Sequence, residues 1–153
     1  MELPNQQVAA SFDEIADLLE LAGDNQFKIR AYRRAAEIVR SLDEPAAELL
    51  RRDQSAIPGI GEALRSKIWE MESEGRIEYL ERLRAQIPAA IVVLTRVPGI
   101  GPRTARRLHE SLGIEDVASL LAAARAGRIR EMPGFGAKTE ANIIKAIQSM
   151  QSD

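Results

Sequence analysis

Three pentapeptides carry the chemistry open to this chain: Ile57-Pro58-Gly59-Ile60-Gly61, Val97-Pro98-Gly99-Ile100-Gly101 and Met132-Pro133-Gly134-Phe135-Gly136. In each, an apolar residue and a proline lead into a glycine that permits a tight turn with positive φ. The second glycine lets another backbone come close. A helical pattern follows at once, running through Ile68, Leu108 and Ile143 in turn. The first amides of a helix have no partner within it and stand at the positive end of its dipole. Phosphate is a natural ligand for such donors. One Pro-Gly turn says little, but three copies at comparable spacing, each opening a helix, form a repeat with a shared purpose.

The elements that position these turns are helical almost throughout. Val8, Phe12, Ile15, Leu18, Leu19 and Ala22 recur at three- and four-residue steps, and Gly23 ends the run. Phe27, Ala31, Ala35, Ile38 and Val39 form a second stripe that ends near Ser41 to Glu44. Pro45 opens a short helix through Leu49 and Leu50 ahead of the first turn, and Pro88 opens another through Ile91 and Leu94 ahead of the second. The helix after Gly61 carries Leu64, Ile68, Trp69 and Met71 to Gly75, and a short amphipathic piece holds Ile77, Leu80 and Leu83. The helix after Gly101 holds Ala105, Leu108 and Leu112 and stops at Gly113. Asp116 caps a helix over Leu120, Leu121 and Ala124 that ends at Gly127, and the last helix turns Ile143, Ile144 and Ile147 inward. No stretch alternates apolar and polar residues in the manner of a strand. The expected fold is all-α: two small helical subdomains built around three helix-hairpin-helix motifs, spanning 1–85 and 86–153, with the boundary between Arg84 and Pro88.

Composition narrows the functions. A chain of 153 residues holds one domain or two small ones. Without cysteine it has no disulfide or thiolate metal site, and with His109 as its one histidine it offers no histidine triad. His109 stands late in its helix, where the dipole accounts for it. No apolar run is long enough to cross a membrane, and Met1 to Ala10 lack a signal layout, so a cytoplasmic protein is expected. The net charge of −2 gives no global reason to bind a polyanion. Its distribution does: Asp13, Glu14, Asp17, Glu20 and Asp24 are followed by Lys28, Arg30, Arg33, Arg34 and Arg40. Arg103, Arg106 and Arg107 adjoin the second hairpin, and Arg125, Arg128 and Arg130 precede the third. A near-neutral protein can still present a basic face.

The segment from Phe27 to Ala36 (FKIRAYRRAA), the first hairpin with Lys67, and the run from Leu94 to Gly101 (LTRVPGIG) resemble the N-terminal region of family X DNA polymerases, the bacterial and archaeal branch above all. The resemblance runs from about Phe12 to Ile147. It implies a small lyase-like domain followed by a duplex-gripping helix-hairpin-helix domain. The chain ends where the catalytic palm would begin, so no polymerase activity is expected of it by itself, and polymerisation would call on a longer chain or on a separate polymerase or repair partner. The resemblance also implies a prokaryotic, nucleoid-associated setting.

By the same resemblance Lys67 falls on the family's nucleophile, which forms a Schiff base with the sugar left at a 5′ end after base removal and then eliminates the phosphate. That chemistry needs a primary amine, and arginine cannot replace it. With four lysines against seventeen arginines, Lys67 stands out. Lys28 and Tyr32 fall on 5′-phosphate contacts, one helical turn apart, with Arg30 and Arg33 extending a phosphate-binding face. The family's further cations and its histidine are absent, since those positions read Ala63, Tyr79 and Phe27, which implies a thinner pocket. Tyr32 and Trp69 also read as core residues. No cofactor is called for beyond a Na⁺ or K⁺ that the resemblance implies at hairpin carbonyls: Ser55, Ile57 and Ile60 in the first, Thr95, Val97 and Ile100 in the second.

The hairpins rank unequally. The second combines Gly99 and Gly101 with Arg103, Thr104, Arg106 and the small Ala105, and is the expected duplex contact. The first joins Gly59 and Gly61 to Arg65 in place of that alanine, which would splay its helix pair. The third has Gly134, Gly136, Lys138 and Thr139, but Phe135 and Glu140 suit it to packing. Three functions stay open: a sequence-nonspecific binder of gapped, nicked or 5′-recessed, 5′-phosphorylated DNA in repair; that binder with a Lys67 lyase; and a structural or protein-interaction domain.

Overall fold

Apolar residues at helical spacing, punctuated by glycine and proline, become helices in the computed structural model, which describes residues 3–151. The described residues contain no strand, and the fold is all-α. The chain divides into two compact units, 1–86 and 87–153.

In the first unit, α1 (Asn5–Ala22) packs along α2 (Gln26–Ser41), and Gly23 ends α1 in the left-handed region at φ 72°. Asn25 caps α2 by accepting from the Phe27 amide. The buried face of α2 is Ile29, Tyr32, Ala35, Ala36 and Val39. Phe27 and Ala31, expected on that stripe, are exposed, Phe27 by 77%. The helix is rotated from the expected phase because Ile29 and Tyr32 bury more apolar surface against Phe12 and its neighbours than Phe27 and Ala31 would. Pro45 then opens α3 (Ala46–Arg52), the first hairpin leads through Gly61 into α4 (Glu62–Glu74), and α5 (Glu78–Gln86) returns against α1.

Ion pairs tie these helices together. Arg33 on α2 reaches Asp17 at 3.0 Å and Glu20 at 3.2 Å on α1, and Arg40 reaches Asp13 at 2.7 Å. Arg84 on α5 grips both oxygens of Glu14. Arg51 pairs with Glu48 and Glu72 and lies over the half-buried Trp69 ring. The acidic first segment and the basic second one therefore largely neutralise each other.

In the second unit, α6 (Ala89–Leu94) and α7 (Pro102–Leu112) flank the second hairpin, and α8 (Val117–Arg125) and α9 (Ala137–Gln151) flank the third. Asp116 and Ser119 close a reciprocal capping box on α8. His109 Nδ1 lies 2.9 Å from the Ile114 carbonyl, which ties the last turn of α7 to the chain just beyond the helix end. Glu140, 2% exposed, is the sole buried charged side chain among the described residues. Burial opposes its ionisation. The Arg130 guanidinium at 2.8 Å, the Arg130 amide at 3.1 Å and the Ile129 amide outweigh that and hold its carboxyl below the usual range.

A carboxyl with a depressed folded pKa contributes stability above its unfolded value, about 4.5, and loses it as pH falls through the folded value. Glu140→Gln keeps the shape and removes the charge. Its melting temperature should be lower than the parent's at pH 7, and the two should converge as the solution is acidified towards pH 3. Circular-dichroism melts against pH measure this, and curves that stay parallel would refute the assignment.

Candidate nucleic-acid interface

Each pentapeptide forms a turn closed by one bond: Ile60 N–H to Ile57 O at 3.2 Å, Ile100 N–H to Val97 O at 3.0 Å, and Phe135 N–H to Met132 O at 3.1 Å. Proline occupies the second position and glycine the third, at φ 92°, 89° and 84° for Gly59, Gly99 and Gly134. That is a type II turn, whose third residue needs positive φ. The flanking Ile57, Ile60, Val97, Ile100 and Met132 are buried and root each turn in its unit.

The second glycines serve a different end. Gly61 and Gly101 are the N-caps of α4 and α7, with ordinary φ of −85° and −87°. A Cβ built at Gly61, Gly101 or Gly136 would meet nothing within 4 Å. Nothing inside the chain requires glycine there, and no side chain caps the first amides of α4 or α7.

Charge separates the copies. Behind Gly101 stand Pro102, Arg103 and Thr104, and Arg103 and Arg106 have no carboxylate partner among the described residues. Behind Gly61 stands Glu62, an acidic side chain in the first turn of α4 that opposes an anion. Behind Gly136, Lys138 is exposed, at the position equivalent to Arg103. Arg107, however, donates to the Pro133 carbonyl and lies 4.7 Å over the Phe135 ring, which binds α7 to the third hairpin. Arg130 of the third basic cluster is engaged by Glu140.

The position four residues after the second glycine carries Arg65, Ala105 or Glu140. Ala105 is fully buried and lets α6 and α7 close together. Arg65 Nη1 donates to the Ile60 carbonyl at 3.3 Å. A monovalent cation shared among Ser55, Ile57 and Ile60 does not fit beside that guanidinium, which already brings positive charge to one of the three carbonyls. At the second hairpin the neutral carbonyls of Thr95, Val97 and Ile100 have no such competitor among the described residues, and the donor set suits Na⁺ or K⁺.

In the first unit the structure brings Lys28, Tyr32 and Lys67 together around Tyr79. Tyr32 is buried, edge-on to Phe12 and stacked at 6.3 Å on Tyr79. Burial, with the Tyr79 phenol adding, pushes its hydroxyl well above the usual tyrosine value. Lys67 Nζ lies 5.2 Å from the Tyr79 ring centre and 6.0 Å from that of Tyr32, and Lys28 Nζ lies 5.8 Å from Tyr79. Hydrogen bonding and electrostatic interaction with Tyr79, and then the neighbouring Asp24, raise the Lys28 pKa. Arg33 is not part of this group: it faces α1. Arg30 is exposed and covers the Phe27 ring at 5.2 Å. Sequence spacing did not single out Arg82, whose guanidinium also lies 5.8 Å from Tyr79. Its signal was available as the i+3 neighbour of Tyr79 on α5.

These features define a helix-hairpin-helix protein. Residues 3–77 match the helix-hairpin-helix domain family, and residues 91–149 match the SAM-like helix-hairpin-helix tandem. Over 88% of its length the chain is 35% identical to the DNA polymerase/3′-5′ exonuclease PolX of Bacillus subtilis, covering 23% of that protein. It therefore matches an N-terminal part of a family X DNA polymerase, as its motifs implied. The Holliday junction branch migration complex subunit RuvA is also similar: 35% identical over 39% of this chain and 32% of the protein in Acidovorax sp. (strain JS42), and 36% over 37% and 30% in Polaromonas sp.. The chain thus spans about a quarter to a third of the length of these relatives.

The two glycines of the second hairpin should respond differently to alanine. Gly99→Ala forces a side chain into the left-handed region and should cost about 1–2 kcal/mol. Gly101→Ala, at ordinary φ in open space, should cost less than about 1 kcal/mol. Denaturant unfolding of both variants checks the order, and equal destabilisation would show that Gly101 is held by internal packing.

Proposed function

We propose that the chain binds DNA through its backbone phosphates, without sequence preference, chiefly at the second hairpin. One observation carries this reading: the uncapped α7 N-terminus opens beside Arg103 and Arg106, which have no carboxylate partner among the described residues. Backbone amides, Thr104 and two guanidiniums address phosphate oxygens and leave the base edges unread. Both relatives' names describe DNA-acting proteins, which supports the same ligand. The favoured substrates are gapped, nicked or 5′-recessed DNA met in repair. Thr95, Val97 and Ile100 would hold a monovalent cation against a phosphate. Any polymerisation would be the work of another domain or of a partner polymerase, in a prokaryotic nucleoid.

The double variant Arg103→Glu/Arg106→Glu should weaken binding at least about tenfold for every sequence alike. It should also flatten the dependence of log K on log salt by about 0.9 for each phosphate no longer neutralised. Fluorescence anisotropy across a salt series measures both. Unchanged affinity at low salt would leave the hairpins as packing elements only.

A second reading rests on the half-buried Lys67, whose Nζ lies over two phenol rings without a carboxylate partner among the described residues. Its amine would attack the C1′ aldehyde of an abasic 5′ sugar, expel water to form the imine, and permit loss of the C2′ proton and elimination of the 3′ phosphate. Hydrolysis would return the lysine. Borohydride should trap a covalent adduct with wild type on 5′-deoxyribose-phosphate DNA and none with Lys67→Ala. Equal trapping by the variant would remove this reading while leaving the binding function standing.

A further inference from the structure

The first and second hairpins share one backbone. Their turns close at 3.2 Å and 3.0 Å, with Gly59 at φ 92° and Gly99 at φ 89°. The hydroxyls ahead of them both donate within the chain, Ser55 to Asp53 at 2.8 Å and Thr95 to the Val92 carbonyl at 2.7 Å. Backbone carbonyls are therefore what either hairpin can offer a cation. The two places differ four residues after the second glycine. Ala105 is fully buried and brings no charge. Arg65 is half-buried, has no carboxylate partner among the described residues, and donates from Nη1 to the Ile60 carbonyl at 3.3 Å.

A guanidinium carries five N–H donors in one plane and stays charged at any working pH. A monovalent cation on the Ile60 oxygen would share that oxygen with a unit positive charge. The two would stand well inside the Debye length of about 10 Å at 0.1 M, so salt does not relieve their repulsion. The carbonyl already has from the guanidinium the positive charge that it would otherwise take from an ion. Glu62 makes a fixed charge useful here. Its carboxylate in the first turn of α4 opposes an anion, and a covalently held cation counters it at any salt concentration.

We propose that the first hairpin takes no Na⁺ or K⁺, and that the Arg65 guanidinium stands in its place as a fixed counter-ion that turns its remaining donors to a DNA phosphate. The inference rests on the reading that the hairpins face DNA phosphates. It departs from what the resemblance implies for Ser55, Ile57 and Ile60. The two hairpins become unlike in kind: the second would draw an ion from solution, whereas the first carries its own positive charge in the chain.

The test measures the affinity of the full chain for a one-nucleotide-gapped duplex in potassium chloride and in tetramethylammonium chloride at equal ionic strength, by fluorescence anisotropy. Tetramethylammonium is too large to sit among hairpin carbonyls. Arg65→Ala gives the first hairpin the residue that the second has at its equivalent position, and so opens its carbonyls to K⁺. In potassium the variant should bind within about threefold of wild type, and in tetramethylammonium at least about tenfold more weakly than wild type. Arg65→Met keeps the apolar stem and removes the guanidinium, and should behave in the same way if Arg65→Ala does not fold. A loss of affinity equal in the two salts overturns the proposal alone, because no ion then replaces the guanidinium. So does the absence of any loss in either salt. Failure of the wild type to bind DNA in either salt would instead overturn the reading beneath it.

Discussion

A glycine held at positive φ in the third position of a type II turn is the constraint on which the rest of this structure depends. With Gly59, Gly99 and Gly134 in that conformation, Ile57, Ile60, Val97, Ile100 and Met132 beside the Pro-Gly pairs are buried in their units. The chain then leaves the turn in extended geometry at the second glycine and enters a helix. The hydrophobic effect fixes the turn, and the turn fixes where the helix begins. Unpaired amides are the consequence, since an N-cap without a side chain cannot satisfy them. Packing and anion affinity are thus one arrangement seen from its two sides.

A backbone repeated three times need not have one purpose, and the fourth residue after the second glycine shows how the copies diverge. Alanine in the second copy takes no polar partner and adds no charge beside the hairpin carbonyls. Arginine in the first turns a guanidinium onto the hairpin's own Ile60 carbonyl. Glutamate in the third buries a carboxylate that recruits Arg130 and its amide. The substitutions change the charge at one point from neutral to positive to negative while the turn geometry varies by less than ten degrees in φ. Conformation is set by the glycines, and ligand preference by their neighbours.

Helix ends were the most legible part of the sequence, because glycine and proline act locally: Gly23, Gly75 and Gly113 end helices where expected, and Asp116 caps one. The rotation of α2 was not legible. Phe27 and Ala31 continue the stripe of Ala35 and Val39 on paper as well as Ile29 and Tyr32 do, and only the shape of α1 decides between them. Charge partners were hidden for the same reason. Lys28, Arg30 and Arg33 read as one phosphate face, yet Arg33 is turned to Asp17 and Glu20, sixteen and thirteen residues earlier. Spacing along one helix says which residues are neighbours on it, but not which face a second helix will cover. The convergence of Lys67, Lys28 and Arg82 on Tyr79 needs three helices at once and lay further still from view.

The net charge of −2 looks ill suited to a polyanion until the charges are sorted by partner. Carboxylates of α1 neutralise arginines of α2 and α5 within the first unit, so these pairs contribute little field beyond a Debye length. Two groups of cations stand out among the rest: Arg103 and Arg106 beside the α7 N-terminus, and Lys67, Lys28 and Arg82 around Tyr79. A uniformly basic surface would attract any polyanion from a distance and hold it in many registers. Local clusters on a near-neutral chain act only at contact, where amide direction and cation spacing matter. An anion that cannot meet several donors at once finds no broad positive field to hold it.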